Sequence, residues 1–167
     1  SVDALILTKT NARASVHRPG YIDYIGVLAF GADGVPIGEE RFLGLFTSGA
    51  YMRRPQDVPL VRRKVEAVLQ RAGFRRDSHS GKALRHILET VPRDELFQCT
   101  DDELYTTAIG ILALQERART LLFVRRDKYG RFYSCLVYLP RDRFFSEVRE
   151  RVEATLNGAV HGERIES

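Results

Sequence analysis

The hydrophobic pattern of this chain changes period along its length, and that change constrains the fold more than any other feature of the sequence. The first third is rich in β-branched and aromatic residues, the middle carries apolar residues at helical spacing, and the last third has two more strand-like runs and a helical stretch. Periods of two and 3.6 residues indicate strands and helices respectively. The order ββαααββα predicts an α+β fold in which helices pack on one side of an antiparallel sheet.

The first hairpin is predicted around a glycine-rich turn. Residues 21–30 are dense in β-branched and aromatic side chains, residues 31–34 have turn chemistry, and residues 41–47 resume the strand pattern. Pro36 is expected in the loop or at the strand edge, because it cannot donate to a ladder. Residues 5–8 are also strand-like, although the predicted order does not count them.

A second hairpin is predicted near the end of the chain. Residues 120–124 and 132–139 flank the turn residues 127–130. The return strand is apolar at nearly every position, which is typical of a strand covered on both faces. We therefore expect it to be the central strand, with Cys135 as a buried, reduced thiol.

Three helices in the middle of the chain have recognisable ends. Asp57 is the expected cap of the first helix, and Gly73 supplies its left-handed stop. The second helix should end before Pro92. The third opens with a capping box, in which the Thr100 hydroxyl accepts a backbone hydrogen bond and Glu103 reaches back.

The last helix is predicted to end at Asn157-Gly158, with a Glu147–Arg151 pair on its surface. This ending divides the chain into one domain at 1–157 and a linker or tail at 158–167. The start at Ser1, close to a strand-like run, is typical of a segment taken from a longer protein.

Composition excludes several classes of protein. The 167 residues are 44% apolar with a net charge of +4, which is typical of one compact domain. No apolar run reaches the roughly 18 residues of a membrane span, and no signal peptide is recognisable. We expect a cytoplasmic protein without membrane contact. Two cysteines are too few for a disulfide framework, so we expect no disulfide.

Motifs for catalysis are missing from the sequence. Gly81-Lys82 fails the P-loop pattern because Arg76 and Ala83 stand where Gly and Ser or Thr are needed, and no GxGxxG occurs. The cysteines and histidines lack zinc-ligand spacing. We therefore expect no catalytic, cofactor-binding or metal-binding residue in this chain.

Basic residues are concentrated in one segment. Arginine supplies 22 of the 26 cations, and residues 51–76 carry eight basic against two acidic residues. Arginine suits the recognition of phosphates and carboxylates. The following segment, residues 77–120, is net acidic, however, with eight acidic and five basic residues. A solvated face or a domain contact is favoured over an anionic ligand, and nucleic acid is the least supported partner.

Six strings in the chain resemble a specific family. Together and in this order they are similar to the N-terminal half of the large bacterial NAD-specific glutamate dehydrogenases, and the likeness covers nearly the whole chain. The strings are VHRP at 16–19, RFLGLFTS at 41–48, PRDELFQ at 92–98, LQER at 114–117, LFVRRD at 122–127 and SCLVYLPRD at 134–142.

The resemblance implies a piece of a regulatory region built from ACT-type and PAS-like modules, which lies upstream of the catalytic domain. The glycine-rich stretch around a reactive lysine and the dinucleotide-binding unit of the family have no match here, so no catalytic residue is carried over. One departure is local, because Arg143-Phe144-Phe145 stands where an Arg-Tyr-Asn-like continuation is expected. The fold implied is PAS-like or ACT-like, and residues 120–157 could begin a truncated ACT-like unit.

The expected function is that of a non-catalytic regulatory or assembly domain of an NAD-dependent glutamate dehydrogenase. The parent would convert L-glutamate to 2-oxoglutarate and ammonia with NAD, and the partners would be its remaining domains within a homo-oligomer. The alternative is a sensor domain that binds an amino acid or carboxylate effector through Arg18, Arg41, Arg125 or Arg126. A nucleic-acid-binding module is the second alternative.

Overall fold

A computed structural model describes residues 3–16, 19–114, 119–162 and 165. Five strands form two antiparallel sheets. The first sheet has the order β1 (Leu5–Arg13), β2 (Tyr21–Phe30) and β3 (Pro36–Gly44), and the second pairs β4 (Leu121–Arg126) with β5 (Tyr133–Tyr138). The α+β fold class is therefore confirmed.

Six helices accompany the two sheets in the described residues, together with 3-10 turns at Pro55–Asp57 and Arg141–Arg143. No helix in the described part is long and apolar enough to cross a membrane. The helices are α1 (Ser48–Met52), α2 (Pro59–Ala72), α3 (His79–Thr90), α4 (Arg93–Gln98), α5 (Asp101–Leu114) and α6 (Ser146–Val160).

The core lies among the helices. Its buried members come from α2 to α5 and the segments between them. Leu7 of β1 and Phe46, which follows β3, are half-buried and pack against this core. The Phe46 ring stacks on Phe97 with their centroids 4.4 Å apart. The buried apolar residues are Val61, Val65, Val68, Leu84, Ile87, Leu88, Val91, Leu96, Phe97, Cys99, Leu104, Ala108 and Ile111. The helices thus form the hydrophobic core, and the two sheets pack against it.

Locally encoded helix ends agree with the sequence. Gly73 ends α2 with a φ of 65°, and α3 ends before Pro92. In the capping box, the backbone N–H of Glu103 donates to the Thr100 hydroxyl at 3.2 Å, and the backbone N–H of Thr100 donates to the Glu103 carboxylate at 2.7 Å. The prediction that Asp57 caps the first of these helices is wrong. Asp57 lies in the 3-10 turn, and Val58 precedes α2 without a side-chain cap.

The predicted order also missed elements that depend on distant contacts. Strand β1 is a full member of the first sheet, β3 begins already at Pro36, and the short helices α1 and α4 were not predicted. Pro36 pairs with Phe30 beyond an irregularity in the ladder, at the start of an edge strand. An edge strand tolerates the missing N–H.

The end of the chain needs two corrections. Helix α6 continues through Gly158 to Val160, where His161 adopts the left-handed conformation with a φ of 51°. The predicted tail at 158–167 therefore begins inside the helix. The surface pair on α6 joins Arg149 to Glu153 at 3.0 Å rather than Glu147 to Arg151.

The prediction that β5 is the central strand of the sheet is wrong. Strand β5 has one partner, β4, among the described residues, and its side chains are half-buried or exposed. The buried cysteine is Cys99 rather than Cys135, and both are free thiols. A high density of apolar residues indicates that a strand is covered by other parts of the protein. It does not show how many strands pair with it.

Candidate functional site

A polar junction forms where strand β1, helix α4 and the β4–β5 hairpin meet. We call this set of contacts the polar junction. It contains charged and hydroxyl side chains, several of which are buried. Its members are Thr8, Lys9, Asp23, Asp94, Glu95, Arg125, Asp127 and Ser134.

Arg125 and Glu95 form the buried centre of the junction. The Arg125 guanidinium donates from Nε and Nη2 to the two Glu95 carboxylate oxygens, at 2.5 and 3.0 Å. Their side chains are only 9% and 11% exposed. The Ser134 hydroxyl also donates to Glu95, at 2.5 Å. This bidentate pair fixes the hairpin on helix α4.

The environment of Arg125 keeps the guanidinium charged. Burial acts to lower the pKa of Arg125, but the hydrogen bond and charge of Glu95 outweigh burial, and the pKa is raised. Its Nη2 also reaches the Gln98 amide oxygen at 3.3 Å. Three hydrogen bonds from Nε and Nη2 thus tie this guanidinium to side chains of helix α4.

Lys9 joins the sheet to helix α4. Its ammonium lies 2.9 Å from Asp23 on β2 and 3.3 Å from Asp94 on α4. Burial acts to lower the pKa of Lys9, but the two carboxylates outweigh it and the pKa is raised. Asp94 in addition accepts from the Tyr51 hydroxyl at 2.7 Å.

Asp127 holds the turn of the second hairpin against the opposite face of β1. One of its oxygens accepts from the Thr8 hydroxyl at 3.0 Å, and both residues are only 4% exposed. The other oxygen accepts from the backbone N–H of Tyr129 at 3.1 Å and of Arg131 at 3.3 Å. Because neighbouring side chains on a strand point to opposite faces, β1 is held on both faces by the junction.

Lys64 closes the other end of helix α4. Its ammonium donates to the carbonyls of Leu96, Phe97 and Cys99 at 3.1, 3.0 and 2.5 Å. These carbonyls lie at the helix C-terminus, where a cation is favoured. Burial lowers the pKa of Lys64 and raises the pKa of the Cys99 thiol to about 12. The thiol is therefore protonated, which argues against a nucleophile.

The four arginines predicted to bind a ligand do not form one site in the described residues. Arg18 lies outside the described residues. Arg41 is an exposed residue on β3 that pairs with Glu39 at 3.1 Å. Arg125 is buried in the junction, and Arg126 is exposed at the next position of β4, which places it on the other face of the hairpin. Their ligand-binding role stays a prediction.

Sequence reasoning missed the partners of the junction. Glu95 was noticed only as part of a string that resembles the family, Asp127 only in such a string and as a turn residue, and Lys64 only as one cation of the basic segment. A charge pattern in the sequence cannot show that Glu95 meets Arg125, because the two residues are 30 positions apart.

Cavities near these residues are shallow. One depression of about 130 Å³ lies beside Asp23, Phe42 and Phe46, and an open one of about 390 Å³ lies on α2 beside Arg63 and Lys64. In the described part of the chain, no group of three or more His, Cys, Asp or Glu side chains is placed to hold a metal ion.

Comparison with known proteins places the chain in a family. The glutamate dehydrogenase helical motif 1 model matches residues 58–117, and the glutamate dehydrogenase ACT2 domain model matches residues 121–167. NAD-specific glutamate dehydrogenases of Halomonas elongata and Pseudomonas aeruginosa are 49% and 43% identical over 148 and 152 residues, which cover 89% and 91% of the chain. The Mycobacterium tuberculosis protein of the same name is 35% identical over 165 residues, or 98% of the chain.

The chain belongs to the family of NAD-specific glutamate dehydrogenases. This confirms the resemblance inferred from the six sequence strings. The chain spans 9% of the length of the first two relatives and 10% of the third. The ACT2 match also supports an ACT-like character for residues 121–167.

The polar junction connects the two matched regions of this glutamate dehydrogenase segment. Glu95 lies in the helical-motif match, and its partners Arg125 and Ser134 lie in the ACT2 match. The Arg125–Glu95 pair is therefore a contact between two units of the family. The charged side chains of this contact act as a rigid connection between the two units.

Proposed function

We propose that this chain is a non-catalytic regulatory or assembly domain of an NAD-dependent glutamate dehydrogenase. The parent would oxidatively deaminate L-glutamate to 2-oxoglutarate and ammonia, with NAD bound elsewhere in the cytoplasmic protein. The observation that carries the proposal is the buried Arg125–Glu95 pair. Its two charged side chains come from different family units and hold those units together. Its partners would be the remaining domains of the parent.

The domain organisation is part of the same proposal. The chain as far as Val160, the end of α6, acts as one body, in which the part from residue 121 onward is the beginning of an ACT-like unit. The Phe123 ring supports this, because it packs on the helical core and meets Tyr138 edge-on at a centroid distance of 6.1 Å. A tail would follow the last helix.

The full-length enzyme tests this function through the junction. Glu95→Ala removes the partner of a buried guanidinium, and we expect altered assembly or an altered dependence of the rate on glutamate while the chemical step is retained. Glu153→Ala removes the partner of Arg149 on the surface of α6 and serves as the control. Assembly and kinetics of Glu95→Ala that equal those of the control would contradict the proposal.

A sensor domain is the second candidate, and Arg126 is the observation that favours it. Its guanidinium is exposed near Gly130, on the face of β4 that also carries the exposed Leu122 and Val124. An amino acid or dicarboxylate at 100 times its dissociation constant would stabilise the chain by about 2.7 kcal/mol. Thermal unfolding with and without these ligands, and with Arg126→Ala, tests the effector role.

A further inference from the structure

Helix α4 is too short to be stable on its own. It spans six residues, Arg93–Gln98, and no side chain caps its N-terminus. Isolated helices shorter than about 12 residues are marginal in water, and a helix in a protein is stabilised mainly by its tertiary packing. The conformation of α4 therefore depends on the contacts that other elements make with it.

The β4–β5 hairpin holds α4 by its side chains. Arg125 donates to both carboxylate oxygens of Glu95 and, at 3.3 Å, to the Gln98 amide oxygen. The Ser134 hydroxyl donates to the same carboxylate at 2.5 Å. Glu95 and Gln98 are three positions apart, which places them on one face of a helix. Arg125 can bind both side chains at once because α4 is helical.

Helix α2 holds the other end of α4 by its backbone. The Lys64 ammonium donates to the carbonyls of Leu96, Phe97 and Cys99. Carbonyls at the end of a helix have no partner within it and are free to accept. They converge on one ammonium because the chain turns there, whereas successive carbonyls of an extended chain point to opposite sides. The Lys64 contacts therefore require that α4 is formed.

The hairpin and α2 have no attraction for each other through these groups. Among the described residues, no hydrogen bond or ion pair joins Lys64 to Arg125 or to Glu95. Burial is the main cause of the lowered pKa of Lys64, and the positive charge of Arg125 lowers that pKa further. Mutual support between the two cations must therefore pass through α4.

We propose that α4 couples the two family units, so that displacement of the hairpin from Glu95 also releases Lys64 of α2 from the end of α4. The position of the ACT-like hairpin is in this way transmitted to the helical-motif region. The proposal rests on the regulatory or assembly role proposed above and adds the element through which that role acts.

Acetylation of Lys64 by acetic anhydride tests the coupling in the purified chain. Lys64 is half-buried and donates to three carbonyls, so it should react slowly in the wild type. Arg125→Met removes the contact between the hairpin and Glu95, and Lys64 should then be acetylated at least about tenfold faster. Peptide mass spectrometry measures the rate, with Lys82, which is exposed on α3, as the internal reference.

The direction of the change separates coupling through α4 from a direct effect of charge. Loss of the Arg125 charge alone would raise the pKa of Lys64, leave less neutral amine and slow the acetylation. Faster acetylation therefore requires release of the ammonium from its carbonyls.

Two further variants and a urea control complete the experiment. Arg149→Met removes a surface ion pair on α6 and should leave the Lys64 rate unchanged. Ser134→Ala removes one hydrogen bond to Glu95 and should raise the rate about two- to fivefold. Wild type in urea, at the concentration that gives it the unfolding free energy of Arg125→Met, shows how much acetylation global unfolding alone causes. Circular dichroism verifies that each variant is folded.

Arg125→Met decides the outcome if it folds, and Ser134→Ala decides it otherwise. A Lys64 rate no faster than in the wild type would overturn the proposal, and so would a rate no faster than in wild type at the matched urea concentration. The regulatory function is read separately, from the Glu95 variant of the full-length enzyme. Failure of that variant to differ from its control would leave the coupling within this chain standing.

Discussion

At the scale of single residues, the junction shows how far a charge pattern can be interpreted. The sequence singled out Arg125 as a charged group near the sheet, but its partner decides its role, and that partner lies on a different element. Lys9 and Lys64 carry the same lesson, since each meets its acceptors only after the chain folds. Residue types were predictable, whereas the pairs were not.

Breaking the Arg125–Glu95 pair should destabilise the chain strongly. Glu95→Ala leaves a buried guanidinium without its counter-ion, which typically costs about 3–5 kcal/mol. The matched change Glu153→Ala on an exposed helix pair should cost no more than about 1 kcal/mol. Urea unfolding measures both, and equal losses would mean that the junction pair is not buried in solution.

The Cys99 thiol should make stability depend on alkaline pH. Burial raises its pKa to about 12, whereas an unfolded thiol titrates near 8.5. The unfolded state therefore binds fewer protons than the folded state above that pH, so stability falls as pH rises, by up to about 1.4 kcal/mol per pH unit. The effect is measured as the difference between wild type and Cys99→Ala between pH 8 and 10 in urea unfolding. A difference that does not change with pH would show that the thiol is accessible.

At the scale of elements, sequence signals between neighbouring residues predicted the ends of helices correctly. Signals that depend on tertiary contacts did not predict the neighbours of a strand. The capping box at Thr100 and the glycine stop at Gly73 involve neighbours in sequence, and both are confirmed. The six-residue helix α4 has little periodicity of its own; it is held by Lys64 and by the junction. Strand β5 was over-interpreted because an apolar run does not reveal how many strands will flank it.

Two helical glycines should respond to alanine with opposite signs. A methyl group at Gly110 of α5 would lie 2.7 Å from the Phe123 ring of β4, while one at Gly158 of α6 would meet nothing within 4 Å. We expect Gly110→Ala to destabilise by about 1–3 kcal/mol through overpacking. Gly158→Ala should stabilise by up to about 1 kcal/mol through helix propensity. Thermal unfolding of the two variants measures the contrast, and a stabilised Gly110→Ala would show that α5 does not pack on β4 as described.

At the scale of the whole molecule, the order of family strings gave more than any single motif. It predicted membership of the NAD-specific glutamate dehydrogenases, which the relatives confirm. It could not show that the strings at 92–98 and 122–127 lie close together in the folded chain. The Arg125–Glu95 pair now gives one residue of each string a structural role. The resulting molecule is a helical core that carries two small sheets, joined by ion pairs and lacking a deep cleft among the cavities described.

The production of NADH from glutamate and NAD by the purified, folded chain tests the central claim most directly. The full-length enzyme at the same molar concentration is the positive reference, and circular dichroism establishes that the shorter chain is folded. We predict no glutamate-dependent NADH above the blank for the 167-residue chain. Steady NADH formation that scales with the concentration of this chain would contradict the account.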